Sequence, residues 1–410
     1  LSHLDGDGKP DVANRCVEMG YDDPSARDAR NGCRRGGGTN RVQSRIAAAR
    51  AETADLKLDG IRKTLHQVDK IRYRPALLRK IAHGYFRTLV LRKPTLRIVE
   101  FSINSACQSK CEYCYAAKFR RPGERMLDVE EVRDIWLQAS RMGAFCSLIL
   151  GGEPTLHPKF LDLVAALEPR KNMVSFSTNC ISLTEEMVVE LKRLGVFVIY
   201  VSMNSTNPAI NDLVRGYEGH HAHVMRVLEI CKRHGIDVVL PITTSKDLLP
   251  ETIELVDFAR KNGLTASMGL LSPTGRAEGE RDALFDADFW KTLRGLYDRN
   301  PDLRGDWDTN FTLEVGCPAG FEKIHVSPYG HVTGCAIQPM SFGSLRERPL
   351  ASLVEEMRGF KHFAKRSKHC IVALDKEFIA DYVDPAIGEP STPYPIQNNP
   401  CAASDCVGCS

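Results

Sequence analysis

The sequence predicts an α/β fold built on parallel strands. Three observations lead there. Six short apolar, β-branched runs recur between residues 96 and 271, amphipathic stretches of helical period separate them, and the connections are short. Repeated βα units of this kind imply parallel strands joined by right-handed crossovers. An open barrel, a closed barrel and a doubly wound sheet all fit that alternation.

Residues 1 to about 50 are rich in Gly, Asp and Arg and show no sustained apolar period, so they read as loop or disorder. Asp5, Asp7 and Asp11 suggest a calcium loop, but Cys16 stands where the twelfth-position Glu is needed, which favours a solvated acidic turn. Residues 51–94 turn helical, with Leu56, Leu58, Ile61, Leu65, Val68 and Ile71 before Pro75 and Leu77, Leu78, Ile81 and Leu89 after it. Proline divides this stretch into two helices. Between residues 61 and 100 there are eleven Lys or Arg against two acids. That excess is either a solvated helix face or a contact for an acidic partner such as a reductase, a leader peptide or a lipid headgroup.

The six strands are expected at Leu96–Ile103, Cys146–Leu150, Met173–Phe176, Val196–Met203, Ile236–Ile242 and Ala266–Leu271. Helices are expected at Val129–Met142, Pro158–Leu167, Glu185–Leu194, Ala222–His234, Pro250–Asn262 and Asp286–Tyr297. Thr184-Glu185-Glu186 and Pro250-Glu251 are helix-start signals, and Gly195, Gly235 and Gly263 are stops.

The chain of 410 residues has a formal charge of +3, which does not imply a specific nucleic-acid partner. There is no apolar run of transmembrane length, nor a basic-then-apolar signal at the start, so a soluble, cytoplasmic protein is expected. Fourteen cysteines in such a chain point to metal ligation rather than disulfides. Nine of them fall into two groups: Cys107, Cys111 and Cys114, then Cys317, Cys335, Cys370, Cys401, Cys406 and Cys409. Cys16, Cys33, Cys146, Cys180 and Cys231 are scattered and read as inert small residues.

The first group is a C-x3-C-x2-C triplet. Three thiolates hold three irons of a cubane 4Fe-4S cluster and leave the fourth iron open to another ligand. In parallel α/β folds, reactive groups gather at the C-terminal ends of strands, and the informative residues obey that rule. The triplet follows the first strand, Gly151-Gly152-Glu153-Pro154 the second and Ser177-Thr178-Asn179 the third, while Ser202-Met203-Asn204 closes the fourth.

The triplet, Tyr113 before its third Cys, and Gly-Gly-Glu-Pro after the second strand together resemble the core of a radical S-adenosylmethionine (SAM) enzyme over residues 95 to 275. The resemblance implies a partial (β/α)6 barrel within residues 95–300. It also implies that Cys107, Cys111 and Cys114 bind a 4Fe-4S cluster and that Gly151, Gly152, Glu153 and Pro154 hold the SAM amino group. Thr178, Asn179 and Ser202 would contact the ribose or carboxylate of SAM, and Arg215 would pair with the carboxylate. Asn204 stands where many relatives carry Asp. An electron from a flavodoxin-like or ferredoxin-like donor would cleave SAM to a 5'-deoxyadenosyl radical, which abstracts hydrogen from the substrate.

Cys317 and Cys335 frame a C-x12-G-x4-C hairpin around Pro328-Tyr329-Gly330, with Phe342-Gly343-Ser344-Leu345 following. This resembles the opening of SPASM and twitch extensions, which bind auxiliary 4Fe-4S clusters, and would make residues 301–410 such a module. Cys370 and then Cys401, Cys406 and Cys409 depart from the full pattern, so one or two auxiliary clusters, or a thiolate zinc site, are all compatible. His325, His331, His362 and His369 are further ligand candidates. Relatives of this kind act on peptides and proteins, the reading favoured here, or on small molecules such as sugars, aminoglycosides and cofactor precursors. An iron-sulfur electron carrier or scaffold without SAM turnover is the reading from another class.

Overall fold

The computed structural model describes residue 71 and residues 74–91, 93, 95–279, 284–300, 303–305 and 316–402. The readings for residues 1–50, for Cys16 and Cys33, and for Cys406 and Cys409 lie outside these residues.

The first described helix, α1 (Pro75–Tyr85), starts at Pro75, where the missing N–H costs no hydrogen bond. Its cations are structural ties: Arg74 Nη1 donates to Pro169 O at 2.9 Å and Lys80 Nζ to Asn172 Oδ1 at 2.7 Å. Part of the basic excess is therefore spent inside the fold, on the connection before the third strand.

The units then alternate as β1 (Ile98–Ser102), α2 (Val129–Arg141), β2 (Cys146–Leu150), α3 (Phe160–Ala166), β3 (Met173–Thr178), α4 (Glu185–Leu194) and β4 (Ile199–Val201). They continue as α5 (Pro208–Arg215), α6 (His220–His234), β5 (Val238–Thr244), α7 (Leu249–Lys261), β6 (Thr265–Leu270), α8 (Ala287–Arg299) and β7 (Arg304–Gly305). Local signals set the helix ends. Asp128 and Glu131 form a capping box on α2, the Thr184 side chain accepts Met187 N–H at the start of α4, and α4 stops at Gly195 with φ 92°.

The strand β4 is shorter than the apolar run Val196–Met203. Phe197 and Val198 pack with Val239 in a small cluster of their own, so the run reports burial beyond the residues of the strand itself. Helix α5 was not expected. Its signals were nonetheless present: Asn207 accepts from Ala209 N–H at 3.0 Å, Pro208 opens the helix, and Gly216 closes it at φ 58°.

The sheet runs β7-β6-β5-β4-β3-β2-β1-β8-β9, where β8 is Lys323–Val326 and β9 is Val332–Thr333. From β1 to β7 every neighbour pair is parallel and in sequence order. A doubly wound sheet would reverse its order within such a run; from β1 to β7 this one does not, and only β8 and β9 lie on the far side of β1, which gives the open, partial-barrel arrangement. Phe101, Ile149, Phe176, Ile199, Val201 and Leu240 are fully or almost fully buried along it. Each such side chain contributes about 1.5–3 kcal/mol on leaving water.

On the other edge, β8 pairs in parallel with β1, from Ile98↔Lys323 to Phe101↔Val326, and β9 returns antiparallel as the expected hairpin. The C-terminal residues therefore extend the same sheet. Beyond the hairpin, β10 (Met340–Ser341), helix α9 (Leu350–Gly359) and β11 (Tyr394–Pro395) surround an aromatic core of Phe342, Phe360, Phe363, Phe378 and Tyr382. Among the described residues no helix is long and apolar enough to cross a membrane.

Candidate functional site

The loop after β1 carries Cys107, Cys111 and Cys114, and three other segments hold it, two that follow strands and one at the end of a helix. From β2, Gly152 N–H donates to Asn104 O at 3.0 Å and Glu153 N–H to Ala106 O at 2.7 Å, while Asn104 Nδ2 donates back to Glu153 O at 2.8 Å. From α5, Lys110 N–H donates to Arg215 O at 3.0 Å. From the end of β6, Arg276 N–H donates to Cys114 O at 3.1 Å and Arg276 Nη1 to Cys111 O at 2.9 Å.

Two of these contacts need glycine. A Cβ on Gly152 would lie 2.1 Å from Ala106 O, and one on Gly275, where φ is +67°, 2.2 Å from Cys114 O.

Donors face the sulfurs. Arg215 Nη1 lies 3.4 Å from Cys111 Sγ and Asn179 Nδ2 3.7 Å from Cys107 Sγ. Burial raises the Cys107 thiol above its ordinary range and pushes Cys114 up to about 11, so a bound cation is what would keep these sulfurs as thiolates. Burial alone would lower the guanidinium of Arg215, but Tyr113 and Cys111 beside it outweigh that and hold it above its usual value. Its Nε is buried with no hydrogen-bond partner, as is Asn104 Oδ1.

Among the described residues, the one trio of His, Cys, Asp and Glu with ligand atoms within 4.8 Å of one another is His362, Glu377 and Asp381. Thiolates on one tetrahedral ion with bonds of about 2.3 Å would sit about 3.8 Å apart. The triplet is spread wider than that, as ligands to separate corners of a cluster must be. Together the donor set, the facing cation and the orphaned Nε fit an anionic cluster with a small ligand beside it.

The remaining predicted contacts divide. Glu153, 1% exposed, is an organiser. Its Oε1 accepts from Thr155 Oγ1 at 2.6 Å and Thr178 Oγ1 at 2.8 Å, and its Oε2 from Asn179 N–H at 2.6 Å. Burial raises its carboxyl above the usual range, against these donors, which lower it. Thr178 thus spends its hydroxyl on Glu153, whereas Asn179 bridges to Cys107, Gln108 and Ser109. Ser202 is half-buried, and its N–H donates to Thr178 O at 3.0 Å. Asn204 accepts from Tyr113 Oη at 2.5 Å, which supplies a use for the residue at that position. Exchanging Glu153 for glutamine sets an amide donor against N–H and O–H donors and should lower stability by about 1–3 kcal/mol, read from chemical denaturation.

Arg276 is the residue that sequence reasoning missed. Its signal was its place just after β6, where the strand-end rule applies. Cys180 is fully buried among core residues, as an inert thiol would be.

In the C-terminal part, burial raises the thiols of Cys317, Cys335 and Cys370; Cys370 and Cys317 add to the shift of Cys335, Cys317 adds to that of Cys370, and Lys323, itself ion-paired with Glu100 at 3.2 Å, opposes it at all three. Burial pushes the Cys370 thiol up to about 12. Cys401 lies beside Tyr394, its N–H donating to Asn399 Oδ1 at 2.8 Å. Two of the histidine candidates have other partners. His325 meets Ser102 Oγ at 2.9 Å and Thr333 Oγ1 at 3.1 Å, and His331 meets Glu124 at 3.0 Å.

A sequential parallel sheet with a cysteine triplet at its first strand end and a glycine-bearing loop at its second is the design of a radical SAM domain, and residues 101–263 match the family profile described as the Radical SAM superfamily. The stretch 101–263 is a radical SAM domain. Among individual proteins, the chain is similar to the mycofactocin maturase MftC of Mycolicibacterium smegmatis, 26% identical over 253 residues, covering 58% of this chain and 61% of that one. It is also similar to the AdoMet-dependent heme synthase of Methanosarcina barkeri, 22% identical over 293 residues, covering 65% and 84%. Streptococcus suis SuiB bound to S-adenosylmethionine shares the fold with a TM-score of 0.54 at 18% identity, over 73% of this chain and 79% of that one. SuiB bound to its precursor peptide SuiA gives 0.54 at 16%, over 84% and 81%. The chain thus spans about three fifths of the mycofactocin maturase's length.

Proposed function

We propose that the protein is a radical SAM enzyme that modifies a peptide or protein by abstracting hydrogen from it. The observation that carries this reading is the triplet loop itself: three unpaired sulfurs held by segments from β2, α5 and β6, with Arg215 and Asn179 facing them. Bound there, a 4Fe-4S cluster supplies the electron that cleaves SAM to methionine and a 5'-deoxyadenosyl radical.

The chain's own residues bind, orient and exclude water. Cys107, Cys111 and Cys114 would hold the cluster. Gly151 to Pro154 would offer backbone to the SAM amino group, since the glycines let the chain approach closely. Arg215, with Nε uncommitted beside Cys111, would meet the SAM carboxylate. Glu153, Thr178 and Asn179 keep the two loops in register, and Ser202 stands at the ribose side. Cys317, Cys335, Cys370 and Cys401, with Cys406 and Cys409, would serve one or two auxiliary clusters, and a flavodoxin or ferredoxin would supply the electron. The similarity to a maturase, and in fold to a protein solved with a precursor peptide, supports a peptide substrate. The similarity to a heme synthase favours a small-molecule substrate as the second reading.

After anaerobic reconstitution with iron and sulfide, dithionite plus SAM should yield 5'-deoxyadenosine, and Cys107→Ala should yield none above background. Equal yields from the two proteins would sink the enzyme reading. Metal analysis should give roughly eight or more irons per chain and no stoichiometric zinc; about four irons with one zinc would make the C-terminal site a zinc site.

A further inference from the structure

The outer face of helix α1 takes no part in the radical chemistry. Leu78, Ala82 and Phe86 follow one another at four-residue spacing along it and are exposed, while Leu77 and Gly84 are buried on the side that meets the sheet. Leu91 N–H donates to Phe86 O at 3.2 Å, five residues back, so the helix runs on into a π turn over Phe86–Val90. In that wider turn Val90 and Leu91 both continue the stripe. Leu78 is 41% exposed, Phe86 52%, Val90 64% and Leu91 46%. Four of the twelve large apolar side chains exposed among the described residues thus fall within one stretch of fourteen. Scattered singly, such side chains are ordinary; a continuous stripe of them marks a surface that meets something apolar.

Charge narrows what that is. From Lys70 to Val99 the sequence holds nine Lys or Arg and no Asp or Glu. Arg74, Lys80, Arg87 and Arg97 are engaged within the fold. Arg79 adjoins Leu78, Lys93 lies two residues past Leu91, and both are exposed. An apolar stripe flanked by cations and by no acid complements a surface with an anionic rim over an apolar interior, which is an acidic bilayer.

Position removes a rival. A Cβ on Gly84 would lie 3.3 Å from the ring of Phe145 and 3.6 Å from Arg97, the residues just before β2 and β1. Arg74 reaches Pro169 O and Gly195 O, ahead of β3 and β4. Helix α1 therefore lies across the N-terminal strand ends, whereas the cysteine triplet sits at the C-terminal ends. The six residues of β3 alone put about 20 Å between the two. An electron donor for the triplet has to dock at the far end. Phe86 and Val90, with half or more of their surface in water, project rather than line a groove, which suits insertion between headgroups better than the seating of a peptide.

We propose that Leu78, Phe86, Val90 and Leu91 dock the protein on an anionic membrane surface, their side chains entering between the headgroups while Arg79 and Lys93 meet lipid phosphates. The eleven residues of α1 are too few to cross a bilayer, so this face lies on the membrane. The strand ends that carry the triplet then point away from the lipid and stay open to substrate.

The test uses the reconstituted full chain with vesicles of equimolar phosphatidylcholine and phosphatidylglycerol, or of phosphatidylcholine alone. The native protein should sediment with the anionic vesicles and far less with the neutral ones, and added salt should release it. Phe86→Gln combined with Val90→Gln should lower the partition coefficient at least about 10-fold, and Arg79→Gln with Lys93→Gln about 5-fold per cation removed. All four side chains are exposed, so the denaturation midpoint should stay at the parent's value. Val189→Gln, at a comparably exposed position on α4, should leave vesicle binding unmoved. Insertion has its own signal: the emission of Phe86→Trp should shift to shorter wavelength when anionic vesicles are added. Absence of sedimentation with anionic vesicles, equal binding by the parent and the Phe86→Gln, Val90→Gln protein, or an unshifted emission would overturn the membrane contact. Retention on polyglutamate but not on vesicles would assign the face to an acidic polypeptide, and lipid-free oligomers lost in the same double variant would assign it to a second copy of the chain; either result overturns the proposal.

Discussion

Replacing Gly152 with alanine is expected to lower 5'-deoxyadenosine formation at least about 100-fold while the chain stays folded. The added Cβ would stand 2.1 Å from Ala106 O and 2.5 Å from Ala106 C, both backbone atoms that cannot rotate aside. Either the loop after β1 or the loop after β2 must move by about an ångström, and Ala106 is the residue before Cys107. Misplacement on that scale at a reacting centre costs about two orders of magnitude in rate. The Asn104, Ala106 and Glu153 hydrogen bonds that join the loops would break with it. Iron per chain should fall by the share of the triplet cluster, and circular dichroism should keep its native form. Normal iron with SAM cleavage within twofold of the parent would show that the two loops are not mechanically coupled.

Glu100→Ala should destabilise the protein by about 3–5 kcal/mol, the usual cost of leaving one member of a buried ion pair behind. Glu100 on β1 is 5% exposed and Lys323 on β8 is 7% exposed. Glu100 also accepts Ala336 N–H at 3.0 Å, the residue directly after Cys335. One carboxylate thus joins the strand that delivers the triplet to the strand and turn that deliver Cys335. Nearby, Arg97 and Glu322 form a second buried pair across the same seam. The substitution is therefore expected to lower iron in the C-terminal site as well as the denaturation midpoint. A midpoint shift equivalent to less than about 1 kcal/mol would mean that the seam is held by β1–β8 backbone pairing alone.

Much of the fold was legible because local physics wrote it. The helix α4 has its start at Thr184 and its stop at Gly195 in adjacent letters, and its observed span is the expected one. The strand β4 was overread because an apolar run reports burial: Phe197 and Val198 are buried but precede Ile199, where the strand begins, although Phe197 N–H donates to Val174 O at 2.8 Å. Helix α5 was overlooked although Asn207, Pro208 and Gly216 announced it, since its eight residues carry too short an apolar period to stand out. The triplet and the Gly-Gly-Glu-Pro loop were legible because each is contiguous. Arg276 was not, because it is an ordinary polar residue whose meaning comes from the Cys111 and Cys114 carbonyls that lie across a gap.

The sequence by itself determined the chemistry that the protein supports: three thiols at one strand end, a glycine loop at the next, and more thiols downstream. Composition and spacing suffice for that, because ligand identity and strand order are properties of the chain alone. Only the tertiary structure decided how those parts meet. Sequential parallel pairing selected the open barrel over the doubly wound sheet, and the β1–β8 pairing joined the C-terminal residues to the same sheet. Folding also turned Thr178 toward Glu153 and Asn179 toward Cys107, separating two neighbours that the sequence had placed in one role. Hydrogen-bond partners tens to hundreds of residues apart are set by packing, and packing has no period to read.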